Sequence, residues 1–234
     1  MSTIDPFKSI NSEHLRMIAP LAKWKVLSLK DLKNECGHLY HYSGFQRLMR
    51  TLERKGVLKG YRDPWNRKKY YYLSEIGNKL FYSKNQSSGY SDEFISHDSR
   101  VSDISREMLD WGIISKVEIE SKGSFVPDAE FFGGKKSQSY VMAFELEISR
   151  KSKERIRNKL RHYGKNSIFD YILYIFATEG LRDLFKEILE EIFPRQYGER
   201  FLLFYLPTLF SKKMMLKKAE GYFKNKKMFL ENIV

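Results

Sequence analysis

The chain has 234 residues, 42% of them hydrophobic and 15% aromatic, which excludes a disordered chain and suffices for one large domain or two modest ones. Its 42 Lys and Arg against 29 Asp and Glu leave a formal net charge of +13, which points to an anionic partner, either nucleic acid or an acidic membrane surface. Cys36 is the only cysteine; it excludes an internal disulfide, argues against a cysteine-based zinc site, and fits a reducing compartment. The start MSTIDPFKS has neither the basic nor the apolar region of a signal peptide. The apolar runs near 168–177 and 201–210 are about half of the ~20 residues that span a bilayer. A soluble, cytoplasmic protein with no membrane partner is therefore expected. The charge is uneven: residues 1–85 hold 17 basic and 7 acidic side chains, net +10, and residues 86–234 hold 25 and 22, net +3.

In chain order, SEHLRMIAPLAKWKVL (12–27) has helical spacing through Leu15, Ile18, Leu21 and Ala22. Ser12 is the expected cap, and Pro20 is expected to kink or divide the helix. Ser28 precedes a short helix with Leu29, Leu32 and Cys36 inward and Gly37 as its stop. A third helix is predicted from about Ser43 to Lys55, with Phe45, Leu48, Met49 and Leu52 on its apolar face and Arg47, Arg50 and Arg54 opposite. Gly56 ends it. VLKGYRDPWNRKKYYYLSEIGNKLFY then reads as strand, turn, strand and helix, with four positive charges in the turn RDPWNRKK.

Over about 40 residues, LERKGVLKGY…KKYYYLSEIGNKL resembles the winged helix-turn-helix domains that bind DNA. The resemblance implies that the third helix enters the major groove and that the hairpin, the wing, touches backbone or minor groove. His41, Tyr42, Ser43, Gln46, Arg47 and Arg50 are then the candidate contacts from the helix. Arg62, Arg67, Lys68 and Lys69 are those from the wing. The plainer alternative is a protein-interaction module with a solvated cationic face. The net +10 on this segment favours double-stranded DNA as the partner.

The polar stretch KNQSSGYSDEFIS (84–96) reads as a boundary between a domain at 10–84 and a second at 95–234. The second opens with a helix, HDSRVSDISREMLDWG. The strand IISKVEIES follows, and then two strands, FVPDAEFF and YVMAFELEIS, joined by a turn at GGKKSQ. SKERIRNKLRHYGK is helical, FDYILYIFA a buried strand, LRDLFKEILEEIF an amphipathic helix and RFLLFYLPTLF a further strand. A basic tail closes the chain.

Helix, three strands, helix, strand, helix, strand is the layout of the PD-(D/E)XK nuclease core. Pro127-Asp128 resembles its PD, and Glu145-Leu146-Glu147 its (D/E)XK, with glutamate in the usual lysine position. The fold expected is therefore α+β: an N-terminal winged helix-turn-helix followed by a three-layer PD-(D/E)XK-like α/β domain with a mixed sheet. Strand alternation sends Glu145 and Glu147 to one face and Phe144, Leu146 and Ile148 to the other. Asp128 shares that face if it pairs directly with Glu145. Three gathered carboxylates repel one another without a cation, so Asp128 and Glu145 are the expected ligands of Mg²⁺ or Mn²⁺. The resemblance makes Asp128, Glu145, Glu147 and Lys159 the catalytic candidates. Lys159, ahead of Lys153, would replace the missing lysine from the next helix, and Glu107 or Asp103 would supply a further acid. The alternative is a hairpin whose acids serve only structure.

A resemblance of order and spacing extends over nearly the whole chain. Winged helix, ISHDSRVSDI, VPDAEF and FELEIS…KERIRNKLRHY follow the sequence of motifs in the replication-relaxation family of plasmid and mobile-element proteins. The matching residues are His97, Asp128, Glu145, Glu147, Lys159 and Tyr163. Taken as packing residues, His97 caps a helix and Tyr163 fills a core. Three functions stay open: a DNA-binding protein of plasmid or mobile-element maintenance with a nuclease-like, active or degenerate, second domain; an active Mg²⁺-dependent endonuclease; and a transcription regulator whose second domain dimerises. A homodimer is compatible with each.

Overall fold

The computed structural model describes residues 10–36, 40–81, 91–119, 125–135, 138–165, 168–194 and 197–233. The stop at Gly37, most of the boundary stretch 84–96 and the tip of the GGKKSQ turn lie outside them. The chain divides into two compact units, Met1–Asp103 and Ile104–Val234. The fold is mixed α+β.

The first unit opens with helix α1 (Ser12–Trp24). Its cap is Asn11, not Ser12: the Asn11 side chain accepts the His14 N–H, and His14 Nδ1 accepts the Asn11 N–H. Pro20 does not divide the helix. Met17, Ile18, Leu21 and Trp24 are buried on both sides of it, and that packing outweighs one lost backbone bond. Strand β1 (Val26–Ser28), helix α2 (Leu29–Glu35) and helix α3 (Tyr42–Arg54) follow. Gly56 adopts φ +73° just past α3, a left-handed conformation that suits glycine. Strands β2 (Leu58–Arg62) and β3 (Lys69–Leu73) and helix α4 (Glu75–Leu80) complete the expected series.

The three strands form an antiparallel sheet in the order β1-β3-β2. Helical spacing predicts the first helix through residue 27, which would absorb most of β1. Lys25, at φ 61°, ends that helix, and the next three residues pair with Tyr70, Tyr71 and Tyr72. A three-residue strand is too short to show an alternating pattern. On α3, Phe45, Met49 and Leu52 are buried, as their spacing predicts, whereas Leu48, expected on the same face, is half-buried. Cys36 Sγ donates to the Met17 carbonyl, and burial followed by the Glu35 charge pushes its thiol up to about 11.

Helix α5 (Asp92–Asp110) begins five residues earlier than its periodicity indicates, and the division between the units falls within it. Ile95 packs with Val26, Tyr70 and Tyr72.

The second unit is built on a seven-stranded mixed sheet, β10-β9-β8-β7-β6-β5-β4. Strands β4 (Ile114–Glu118), β5 (Ala129–Lys135) and β6 (Gln138–Glu147) are antiparallel neighbours. β7 (Tyr171–Phe176) and β8 (Phe201–Tyr205) then run parallel to β6. Helices α6 (Lys153–Lys165) and α7 (Glu179–Ile192) make the crossovers, and the short α8 (Tyr197–Arg200) leads into β8. Ile156, Leu160 and Tyr163 of α6 and Phe185, Ile188 and Leu189 of α7 share a core with Tyr174, Phe176 and Leu203 from one sheet face. On the opposite face Met142, Leu173 and Leu202, with Met108 and Leu230, line a cavity of about 760 Å³.

The basic tail is not a bare tail. β9 (Glu220–Phe223) and β10 (Lys226–Phe229) form a hairpin on the β8 edge. Lys224 and Asn225 both have positive φ, which is the geometry of a tight two-residue hairpin turn.

Candidate functional site

Strand β6 carries the acidic pair. Alternation along it puts Glu145 and Glu147 on the face covered by α6, and each is only 1% exposed. Phe144 and Leu146 point to the other face and are equally buried. Two carboxylates in a sheet core need partners, because an ionised acid stripped of water is strongly disfavoured.

Helix α6 supplies most of them. Ile156, Leu160 and Tyr163 bury its inner stripe, and Lys159 lies beside that stripe. Lys159 Nζ donates to Glu145 Oε2 and lies 3.8 Å from Glu147 Oε1. Tyr163 donates its hydroxyl to Glu145 Oε1. Lys151, just past the strand, pairs with Glu147 Oε2 at 2.6 Å. Glu147 Oε1 has no hydrogen-bond partner among the described residues, and neither does the buried Tyr174 hydroxyl.

Asp128 sits one residue ahead of β5 rather than within it. The register Ala129↔Phe144 brings it alongside the start of the Glu145–Glu147 segment. Its N–H donates to the Phe144 carbonyl, and its Oδ2 accepts the Leu146 N–H at 2.8 Å. Burial first, and then the Asp128 charge, push the Glu145 carboxyl up to about 7, although Lys159 and Tyr163 pull the other way. For Lys159, burial works against the ammonium, but Glu145, Glu147 and Asp128 more than offset it and hold the proton on. Burial and the adjacent Glu145 raise the Tyr163 hydroxyl far above its ordinary range.

The expected convergence of three acids is met only in part. Among the described residues no group of three or more His, Cys, Asp and Glu side chains is placed to hold a metal ion. The donor chemistry still suits one, since two carboxylates completed by water are enough for Mg²⁺. Asp128 and Glu145 feel each other's charge, and Glu147 keeps a buried oxygen without a hydrogen bond.

The further acids expected from the leading helix are used elsewhere. Asp103 accepts the Tyr70 hydroxyl inside the first unit, and Glu107 accepts the Leu216 N–H. Lys153 is exposed at the start of α6. Sequence reasoning missed Lys151, which no spacing marks, because the segment between β6 and α6 is not helical and four-residue neighbours meet only on a helix. His97 contacts its neighbour Asp98 at 3.2 Å.

In the first unit, Tyr42, Ser43, Arg47 and Arg50 of α3 are exposed and Gln46 is half-buried. On the hairpin Arg62 and Arg67 are exposed and Lys68 is half-buried. Arg62 donates to the Arg67 carbonyl at 3.2 Å. Lys69 differs from the others, because its Nζ lies 2.7 Å from Glu53 Oε2 and its charge is already paired.

No helix among the described residues is long and apolar enough to cross a membrane. No family model matches the chain, and no curated protein is similar to it in sequence. Among solved structures, it is similar to restriction endonuclease FokI at 10% identity and a TM-score of 0.30, over 82% of this chain and 42% of that one. It is also similar to FokI bound to DNA, at 8% identity and a TM-score of 0.24, over 82% and 43%. The chain thus spans about two fifths of the FokI chains, and a likeness this slight decides neither fold nor function.

Proposed function

We propose that this chain binds duplex DNA, with residues 10–84 acting as a winged helix and residues 95–234 as a nuclease-like domain. The observation that carries the reading is the cationic surface of the first unit. α3 presents Tyr42, Ser43, Arg47 and Arg50 outward, and the β2–β3 hairpin adds Arg62 and Arg67. The element order of that unit is the one a winged helix needs to put its third helix into the major groove. Arg47 and Arg50 contact phosphate or base edges, with Gln46 and Ser43 beside them. Arg62, Arg67 and Lys68 grip backbone, and Lys69 holds the wing to α3 through Glu53. The order of the motifs supports a role in plasmid or mobile-element maintenance.

Equilibrium binding to a labelled duplex tests this reading. The double variant Arg47→Ala, Arg50→Ala is expected to bind more weakly while keeping its fold, since both side chains are exposed. Equal binding by variant and wild type contradicts it.

A second reading, metal-dependent cleavage of DNA, is favoured by the group at the end of β6. Glu145, Glu147, Lys159 and Tyr163 form a buried polar set that an ordinary sheet core does not need. Asp128 and Glu145 would hold Mg²⁺ or Mn²⁺, which when bound polarises a phosphodiester and activates water. Lys159 keeps a proton beside the carboxylates, Tyr163 fixes the orientation of Glu145, and Lys151 anchors Glu147. Supercoiled plasmid incubated with protein and Mg²⁺ or Mn²⁺ is expected to be nicked, and Asp128→Asn is expected to abolish the nicking. Nicking that survives this substitution contradicts the assignment.

A further inference from the structure

Trp65 stands at the tip of the β2–β3 turn with 66% of its surface exposed. Single exposed apolar side chains are common and need no explanation. The framework beneath this one is not common. Asp63 Oδ1 accepts the N–H groups of both Trp65 and Asn66 at 2.9 Å. Asp63 Oδ2 pairs with Arg100 at 2.7 Å, and the two side chains are 0% and 1% exposed. Asn66 donates to the Tyr70 hydroxyl and accepts the Lys68 N–H. Backbone bonds from Asp63 to Lys68 and from Arg67 to Asp63 close the turn, and Arg67 takes the left-handed conformation at φ 62°. Pro64 stiffens the residue before the indole.

The turn that carries this largely exposed ring is thus fixed through its backbone by hydrogen bonds to Asp63, which a buried ion pair anchors. Arg62, Arg67 and Lys68 flank it in sequence on the same hairpin. An exposed indole on a fixed turn with cations beside it in sequence suits a partner that offers flat apolar faces between anionic groups, and stacked nucleobases between phosphates are such a partner.

We propose that Trp65 is a stacking wedge: the turn drives its indole into a base step of duplex DNA, where it stacks on a nucleobase while Arg62, Arg67 and Lys68 hold the flanking phosphates. The inference rests on the reading of the first unit as a duplex binder. Steps that unstack readily, pyrimidine followed by purine, are the preferred points of entry.

The test compares wild type, Trp65→Ala, Trp65→Phe and Trp65→Lys on one labelled duplex across a salt series. Trp65→Ala is expected to weaken binding on the order of tenfold, the usual loss of one stacked aromatic. Its salt dependence is expected to match wild type, because no phosphate contact is lost. Trp65→Phe recovers most of the affinity and Trp65→Lys does not. Indole emission falls on binding in wild type but not in Trp65→Phe, in which Trp24 and Trp111 remain. Equal affinity of wild type and Trp65→Ala overturns the wedge while leaving the DNA reading intact. Rescue by Trp65→Lys overturns it in favour of charge alone. Dependence on Trp65 seen only with anionic lipid vesicles overturns it in favour of a membrane surface. Failure of wild type to bind duplex at any salt removes the DNA reading and the wedge together.

Discussion

At the scale of single residues, the most exacting demands come from charges placed where water does not reach. Asp63 and Arg100 are almost fully buried and form an ion pair at 2.7 Å. Arg100→Ala leaves an unpaired carboxylate inside the first unit and is expected to cost about 3–5 kcal/mol of stability, read from chemical unfolding. A loss below about 1 kcal/mol, the usual worth of an exposed pair, contradicts that description of the site. Glu145 gives a prediction with a sign. Its ordinary value is 4.5 and its folded value about 7, so between these limits the folded protein holds a proton that the unfolded chain has released. Stability contributed by this residue therefore falls as pH rises from about 4.5 to about 7, and levels off above. Unfolding at pH 5 and pH 8 is expected to show wild type losing stability relative to Glu145→Gln over that interval. An unchanged difference contradicts the raised carboxyl. Neither network is visible in the sequence, because partners 37 residues apart, as Asp63 and Arg100 are, meet only through the fold. Lys159 is the exception: its place beside Ile156 on a helical repeat marks the face it shares.

At the scale of elements, legibility follows length and pattern. The helix α3 and the strand β6 are long and patterned and β7 is a continuous apolar run, so each is legible as an element, although Leu48 on α3 is half-buried where its spacing predicts burial. β1 is not legible, being three residues long, and neither is the β9–β10 hairpin, whose four-residue strands are rich in Lys and aromatic side chains. The turn residues Lys224 and Asn225 were the usable signal for the hairpin. Gly221 shows what holds that edge in place. A Cβ there would stand 1.8 Å from the Leu203 carbonyl oxygen, so β9 approaches β8 as only glycine allows. Gly221→Ala is expected to destabilise the second unit by about 1–3 kcal/mol, the usual cost of overpacking, with the shift seen in amide exchange of β8 and β9. Unchanged exchange in both strands contradicts the close approach.

At the scale of the whole molecule, the asymmetry of charge is the feature that composition shows most directly. The first 85 residues carry net +10, the densest positive stretch of the chain, whereas the two whole units, Met1–Asp103 and Ile104–Val234, carry net +7 and +6. In the second unit several of the charges are paired: Lys159 with Glu145, Lys151 with Glu147, Arg157 with Glu191. Duplex affinity measured as a function of salt tests the account most directly. The logarithm of the affinity is expected to fall linearly with the logarithm of salt concentration, and Arg47→Ala, Arg50→Ala to reduce the slope by about two, one for each lost phosphate contact. An affinity indifferent to salt, or a slope unaltered in the double variant, contradicts the claim that this cationic face grips DNA.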